Sequence, residues 1–245
     1  MQDTPAVKIT YDANVTILSE LRAKMSANST GFVDVNKTHT TFMFRNDIKI
    51  PSYLIALAVG DLKYHSLGKR VGVISEPQQL ATAKKDLEDL EKYLDEVENW
   101  VGIPYAWGQY NILVLPPAFP FGGMENPLLS FISPTMITGD KSQVHTAIHE
   151  VAHSWTGNLV TCKTWEDFWI NESLTVFIQR KISEKLFGKD KAMAESYMEN
   201  FNLDQSISNL GKHSPLTALH QNISGTNPDQ AKSSVQYEKG YQLLH

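Results

Sequence analysis

The chain begins with short runs of apolar and polar residues in near alternation. AVKITY, NVTIL, TTFMF and SYLIALAV are rich in β-branched and aromatic residues, and polar clusters such as SANSTG and RNDIKIP separate them. This pattern predicts strands and turns as far as about Gly60. The period then lengthens. Leu87, Leu90, Leu94, Val97 and Val101 recur at threes and fours between Gln79 and Val101, which predicts one amphipathic helix with a buried stripe. The charges of KKDLEDLEKYLDEVE fall on its solvated face. YNILVLPP predicts a strand with a free edge, stopped by Pro116 and Pro117. HTAIHEVAHSWTG and DFWINESLTVFIQRKISEKLFG predict helices ending at Gly157 and Gly188. There are no repeats or low-complexity tracts. The sum is an α+β fold, with a β segment over residues 1–60 and a mainly helical domain over 61–245.

One predicted helix carries HEVAH, His149 to His153. Residues four apart on a helix share a face, with Cβ atoms about 6 Å apart, so the two imidazoles can converge on one ion. Zinc binds such nitrogens at about 2.0 to 2.1 Å and prefers four ligands, leaving one position for water in a catalytic site. His145 extends the stripe but lies about 12 Å along the axis from His153, too far to share that ion, and reads as a first-turn or structural residue. Glu172, nineteen positions after His153, is the better third ligand if NESLTVFIQRKI folds back as a second helix. Glu150 is displaced about 100° from His149, so it is placed to move a proton rather than to bind the metal.

Composition narrows the alternatives. The 245 residues are 42% hydrophobic with a net charge of −5, so the chain can build a core and has no basic field for a nucleic acid. Its single cysteine, Cys162, allows no internal disulfide, which fits a reducing compartment. The start MQDTPAVKITYD lacks the pattern of a signal peptide, and no apolar run is long enough for a membrane span. A cytoplasmic protein without membrane insertion is therefore expected. Glycosylation triplets at Asn14, Asn28, Asn36, Asn171 and Asn222 are read as chance occurrences.

HEVAHSWTGNLVT followed by WINES, with GGMEN upstream and YEKG near the end, resembles the gluzincin aminopeptidases of peptidase family M1. QDTP, YLIALAVGDL, WGQYNILVLPP and FGGMENP bring the resemblance closest to the leukotriene A4 hydrolase and aminopeptidase B branch. The likeness implies a thermolysin-like zinc metallopeptidase catalytic domain, preceded by the end of a β-sheet domain, with one Zn2+ per chain held by His149, His153 and Glu172. It implies that Glu125 receives the free α-amino group of a peptide, with Gln2 at the same pocket, and that Gly122 and Gly123 offer their backbone to the substrate. It also implies that Glu150 relays the proton and Tyr237 donates to the oxyanion. Trp155, Trp165 and Trp169 read as packing, and Phe168 as a possible pocket wall.

The chain departs from the family pattern at Phe121, Ser173 and Gln179, where relatives commonly carry Tyr, Gly and an acidic residue, and at Lys232, where an aromatic is usual. Asp229 matches the aspartate that lipid hydrolases of the family use on an epoxide, and it is equally a turn residue within NPDQ. The expected activity is removal of N-terminal residues from peptides. The alternatives are an epoxide hydrolase acting on a lipid acid and a zinc-binding fragment with little activity. A truncated segment of a longer protein is expected, since YQLLH stops in a helical pattern and the family continues into a helical C-terminal domain.

Overall fold

The computed structural model describes residues 2–245, apart from the side chains of Pro228 and Asp229. Ten strands fall into three sheets among the described residues. β1 (Lys8–Leu18), β4 (His39–Pro51) and β3 (Asn28–Asp34) form an antiparallel sheet in that order, and β2 (Arg22–Met25) pairs with β5 (Leu57–Gly60). β1 alternates half-buried and exposed positions along most of its length, as expected for a strand with one face on a core. That small core holds Ala23, Met25, Ala27 and Phe44, with Ala13 and Val15 packed against it.

The third sheet runs β6 (Lys63–Ser66), β7 (Val71–Ser75), β8 (Tyr110–Val114), β10 (Ser130–Ile132), β9 (Gly123–Met124). Sheet membership changes between Gly60 and Lys63, yet Ile50 and Leu54 bury into the same core as the helices that follow. β8 does not have the free edge predicted for it. It lies between β7 and β10, parallel to both, and its run Tyr110, Ile112, Leu113 and Val114 is buried as an interior strand requires. Pro116 and Pro117 follow the strand's end and interrupt no ladder.

The long helix predicted over 79–101 is two helices, α1 (Pro77–Asp86) and α2 (Leu90–Val101). The reason is Asp86, which is buried at the break and accepts from Gly139 N–H at 2.7 Å. Lys141 then ties down Glu88 at 2.6 Å and Asp89 at 2.7 Å, fixing the turn. The apolar stripe survives the break, with Leu87, Leu90, Leu94 and Val97 all in the main core.

α3 (Val144–Ala152) ends well before Gly157. From His153 onward the chain tightens, with Ser154 N–H on Val151 O and Trp155 N–H on Ala152 O. Gly157 serves the next turn at φ 133, where a Cβ would meet His153 Nδ1 at 2.9 Å. α4 (Phe168–Phe187) does stop at Gly188, whose φ of 90 suits glycine.

α5 (Lys189–Leu210) was not singled out by the apolar pattern, because Met193, Tyr197, Met198 and Phe201 are exposed and Leu203 alone on it is buried. The chain closes with the short α6 (Pro228–Ala231), a π-helical turn over Val235–Lys239 and α7 (Gly240–Leu244). No helix among the described residues is long and apolar enough to cross a membrane.

Candidate metal centre

α3 and α4 pack side by side, and a Thr156–Thr175 hydroxyl pair at 2.6 Å joins the turn after α3 to α4 next to the histidines. Three ligand atoms meet in the space between. His149 Nε2 and His153 Nε2 are 3.0 Å apart, and Glu172 Oε2 lies 3.4 Å from the first and 3.2 Å from the second. Tetrahedral zinc with ligands at about 2.05 Å needs ligand atoms about 3.3 Å apart, so the triangle fits the ion. Its donor set of two imidazoles and a carboxylate suits zinc, and Glu172 Oε2 is buried with no hydrogen-bond partner.

The outward ring nitrogens are also engaged. His153 Nδ1 donates to Thr156 O at 2.8 Å, and His149 Nδ1 donates to Gln179 Oε1 at 2.9 Å. With Nδ1 donating outward, each Nε2 is left facing the centre, where a bound cation would displace the proton that His153 otherwise holds. His145 lies on the same helix but is outside the triad. Burial pushes its pKa down, with Glu195 and Glu199 opposing that shift.

Glu150 is buried on α3 with its Oε2 unpartnered. Burial pushes its pKa well up, and the carboxylates of Glu125 and Glu172 add to this, while His153 and Lys232 pull the other way. Burial opposes charge on His153, but Glu125, Glu172 and Glu150 outweigh it and hold the imidazolium pKa at about 10. Glu172 is also buried, yet His153 and His149 keep its carboxylate ionised far below the usual range.

Glu125, Gly122, Gly123, Glu150, Tyr237 and the triad line one cavity of about 950 Å³. Asn158 Nδ2 holds the Glu125 backbone carbonyl at 2.7 Å, and the Glu125 side chain is buried. Gly123 is required where it stands, because Glu150 occupies the space of a Cβ. Gly122 has no such neighbour, with only Thr146 Cγ2 near, at 4.0 Å. β9 is the end strand of its sheet, so one side of the Gly123 backbone is open to pairing. Tyr237 stacks on His149, with ring centroids 6.1 Å apart and planes 25° apart, and burial followed by Glu172 and Glu125 pushes its hydroxyl pKa far up.

One of the expected site residues is not brought in. Gln2 is exposed and does not line the cavity, and its recorded contact is a backbone carbonyl that accepts from Ser52 Oγ. The Asp229 side chain lies outside the described residues. Trp155 packs in the core and Phe168 lines the cavity, both as expected, whereas Trp165, expected only to pack, also reaches the cavity. The departures Phe121 and Lys232 touch each other, with the ammonium 4.3 Å from the ring centroid at the cavity wall.

Sequence reasoning missed Arg180 and Glu238, a buried pair in which Arg180 Nη2 donates to both carboxylate oxygens at 2.7 Å. Burial raises the Glu238 pKa and Arg180 opposes it. The helical spacing of Glu172, Gln179 and Arg180 was the available signal, since it sets polar residues along the buried side of α4. Ser173, where relatives commonly have Gly, donates to Gln236 O at 2.6 Å and seats the π-helical turn against α4.

Comparison with known proteins agrees with this geometry. Residues 85–245 match the model of the peptidase family M1 domain. The chain is 43% identical over 245 residues to leukotriene A-4 hydrolase of Xenopus laevis and 40% identical to leucine aminopeptidase 2 of Emericella nidulans. Each alignment covers 99% of this chain and 40% of the relative, so the chain spans about two fifths of the length of these proteins. A solved structure of yeast LTA4 hydrolase in complex with bestatin superposes with a TM-score of 0.89 at 37% identity, over 99% of this chain and 38% of that one.

Proposed function

The chain belongs to peptidase family M1, and from that premise we propose that it is the catalytic portion of a zinc-dependent aminopeptidase, with residues 1–60 as part of a preceding β domain. The observation that carries this is the ligand-sized triangle of His149, His153 and Glu172, with a buried, unpartnered Glu150 carboxylate beside it in the same cavity. A single zinc ion held there supplies Lewis acidity toward the scissile carbonyl and the attacking water.

The chain's own residues account for the other roles. Glu125 pairs with the free ammonium of the peptide, which limits cleavage to the first bond. Glu150 takes the proton from the attacking water and delivers it to the leaving amine; its elevated pKa suits a group that must hold a proton between the two events. The Tyr237 hydroxyl, kept protonated by its surroundings, donates to the oxyanion. The open side of β9 pairs with the extended substrate backbone. Asp229 belongs to the same proposed substrate pocket. The single cysteine, Cys162, buried and free, supports a reducing, cytoplasmic setting.

A second reading is hydrolysis of an epoxide on a lipid acid, favoured by the 43% identity to a leukotriene A-4 hydrolase. The test is turnover of aminoacyl arylamides and a fatty epoxide, with zinc content measured, on wild type and Glu150→Gln. Zinc-dependent arylamide turnover lost in Glu150→Gln, with the metal retained, is the expected result. Equal turnover by the two proteins would refute the aminopeptidase reading.

A further inference from the structure

Charge is ordered along the edge of the cavity that carries β9. Glu125 stands at one end of the run from Phe121 to Glu125, the Glu150 carboxylate is packed against Gly123 in the middle, and Phe121 stands at the other end. Pairing of β9 with β10, continued by Ser133 N–H on Gly122 O at 2.8 Å, keeps the run extended at its centre, so its four steps span at most about 14 Å. Lys232 reaches the Phe121 end from the segment before the π-helical turn. Its exposed side chain sets the ammonium 4.3 Å from the ring centroid, close enough to Glu150 to favour that carboxylate's charged form. Among the described residues the ammonium has no ion pair or hydrogen bond. A ring face attracts an ammonium without neutralising it, so the charge and N–H donors stay available to an anion. The cavity's other basic side chains are engaged elsewhere, Arg180 with Glu238 and Lys191 over the Phe187 ring at 4.2 Å.

A peptide held by its ammonium at Glu125 must place its first peptide bond toward Gly123, where Glu150 stands, and so runs on toward Phe121. Its second residue, the one released with the new amine, then lies about 7 Å along that path. An acidic group there meets Glu150, Glu195 and Glu199 as like charges lining the same cavity. We propose that Lys232, seated on Phe121, determines specificity on the leaving side of the scissile bond by binding a carboxylate of the second residue, either an Asp or Glu side chain or, in a dipeptide, the terminal carboxylate. The aromatic residue usual at this position in the family pattern offers no such charge. This rests on the aminopeptidase reading of the cavity.

The experiment measures kcat/KM for zinc-loaded wild type, Lys232→Gln and Lys232→Glu on two pairs of dipeptides that share one N-terminal residue. One pair has Glu or Gln second, both amidated at the C-terminus; the other has Ala second, as free acid or amide. Preference is read as a ratio within each protein, so a general change in rate cancels. Wild type is expected to favour the acid in at least one pair by about fivefold, the upper scale of an exposed ion pair, and that pair identifies the carboxylate bound. Lys232→Gln brings the ratio to about one, and Lys232→Glu prefers an amidated dipeptide with Lys second over the one with Gln. Ratios near one in wild type would overturn the proposal, and that measurement needs no variant to fold. A preference that persists in Lys232→Gln would also overturn it. A zinc-loaded wild type that cleaves no peptide would overturn the aminopeptidase reading and this inference together, whereas cleavage without preference for the acids overturns this inference alone.

Discussion

The Glu150 carboxylate fills the space that a Cβ on Gly123 would occupy, so the residue proposed to move protons is seated against the edge strand proposed to hold substrate. The contact joins α3 to β9 with no side chain between them. It sets the depth at which the carboxylate stands relative to any peptide lying along the strand.

Gly123→Ala is therefore expected to displace Glu150 while leaving the triad on α3 and α4 intact. A misplacement of about 1 Å in a reacting group can lower rate about 100-fold. Steady-state kinetics should show kcat reduced by roughly that factor, with zinc content per chain unchanged. Activity near wild type would mean that Glu150 does not depend on this contact.

Tyr237→Phe removes a hydroxyl and keeps the ring that stacks on His149. Loss of one oxyanion donor raises the barrier by about 2.7 to 4 kcal/mol, so kcat should fall by about 100- to 1,000-fold with KM little changed. A rise in KM at constant kcat would instead assign Tyr237 to ground-state binding.

Arg180→Met leaves the Glu238 carboxylate buried without its partner, both side chains being 4% exposed in the pair. Breaking such a pair from one side destabilises by about 3 to 5 kcal/mol, whereas replacing both partners by apolar groups is often close to neutral. Urea unfolding should show the single variant strongly destabilised and Arg180→Met with Glu238→Leu recovering most of the loss.

Acid should loosen the junction of α2 with the loop after it. The Arg70 guanidinium, hydrogen-bonded to Glu98, holds that carboxyl below its usual range, and Glu98 Oε1 also accepts from Tyr105 N–H at 2.8 Å. A folded-state pKa below the unfolded one contributes stability above the unfolded value of 4.5, and this is lost as pH falls through the folded value. Stability measured from pH 6 downward should decline below about 4.5, and Glu98→Gln should flatten that decline.

The candidate metal centre was legible because most of it is local. One helical turn sets His149 against His153, and Glu172 required only that the next helix fold back. The break at Leu87–Asp89 was not legible, since it depends on Asp86 reaching Gly139, a contact between segments 53 positions apart. The placing of β8 likewise depends on the short β10, whose three residues carry little pattern of their own. α5 lacks a buried stripe, so the apolar period had nothing to report. Gln179 was noticed as a departure, but its bond to His149 became visible only once α3 and α4 were side by side.

The π-helical turn gives consecutive residues different duties at one cavity: Tyr237 stacks on His149 while Glu238 grips Arg180, and all four line it. The wider winding couples a structural anchor to the hydroxyl proposed for the oxyanion through a single peptide unit. Damage to the anchor should thus be felt twice, as lost stability and as slowed turnover in the molecules that stay folded.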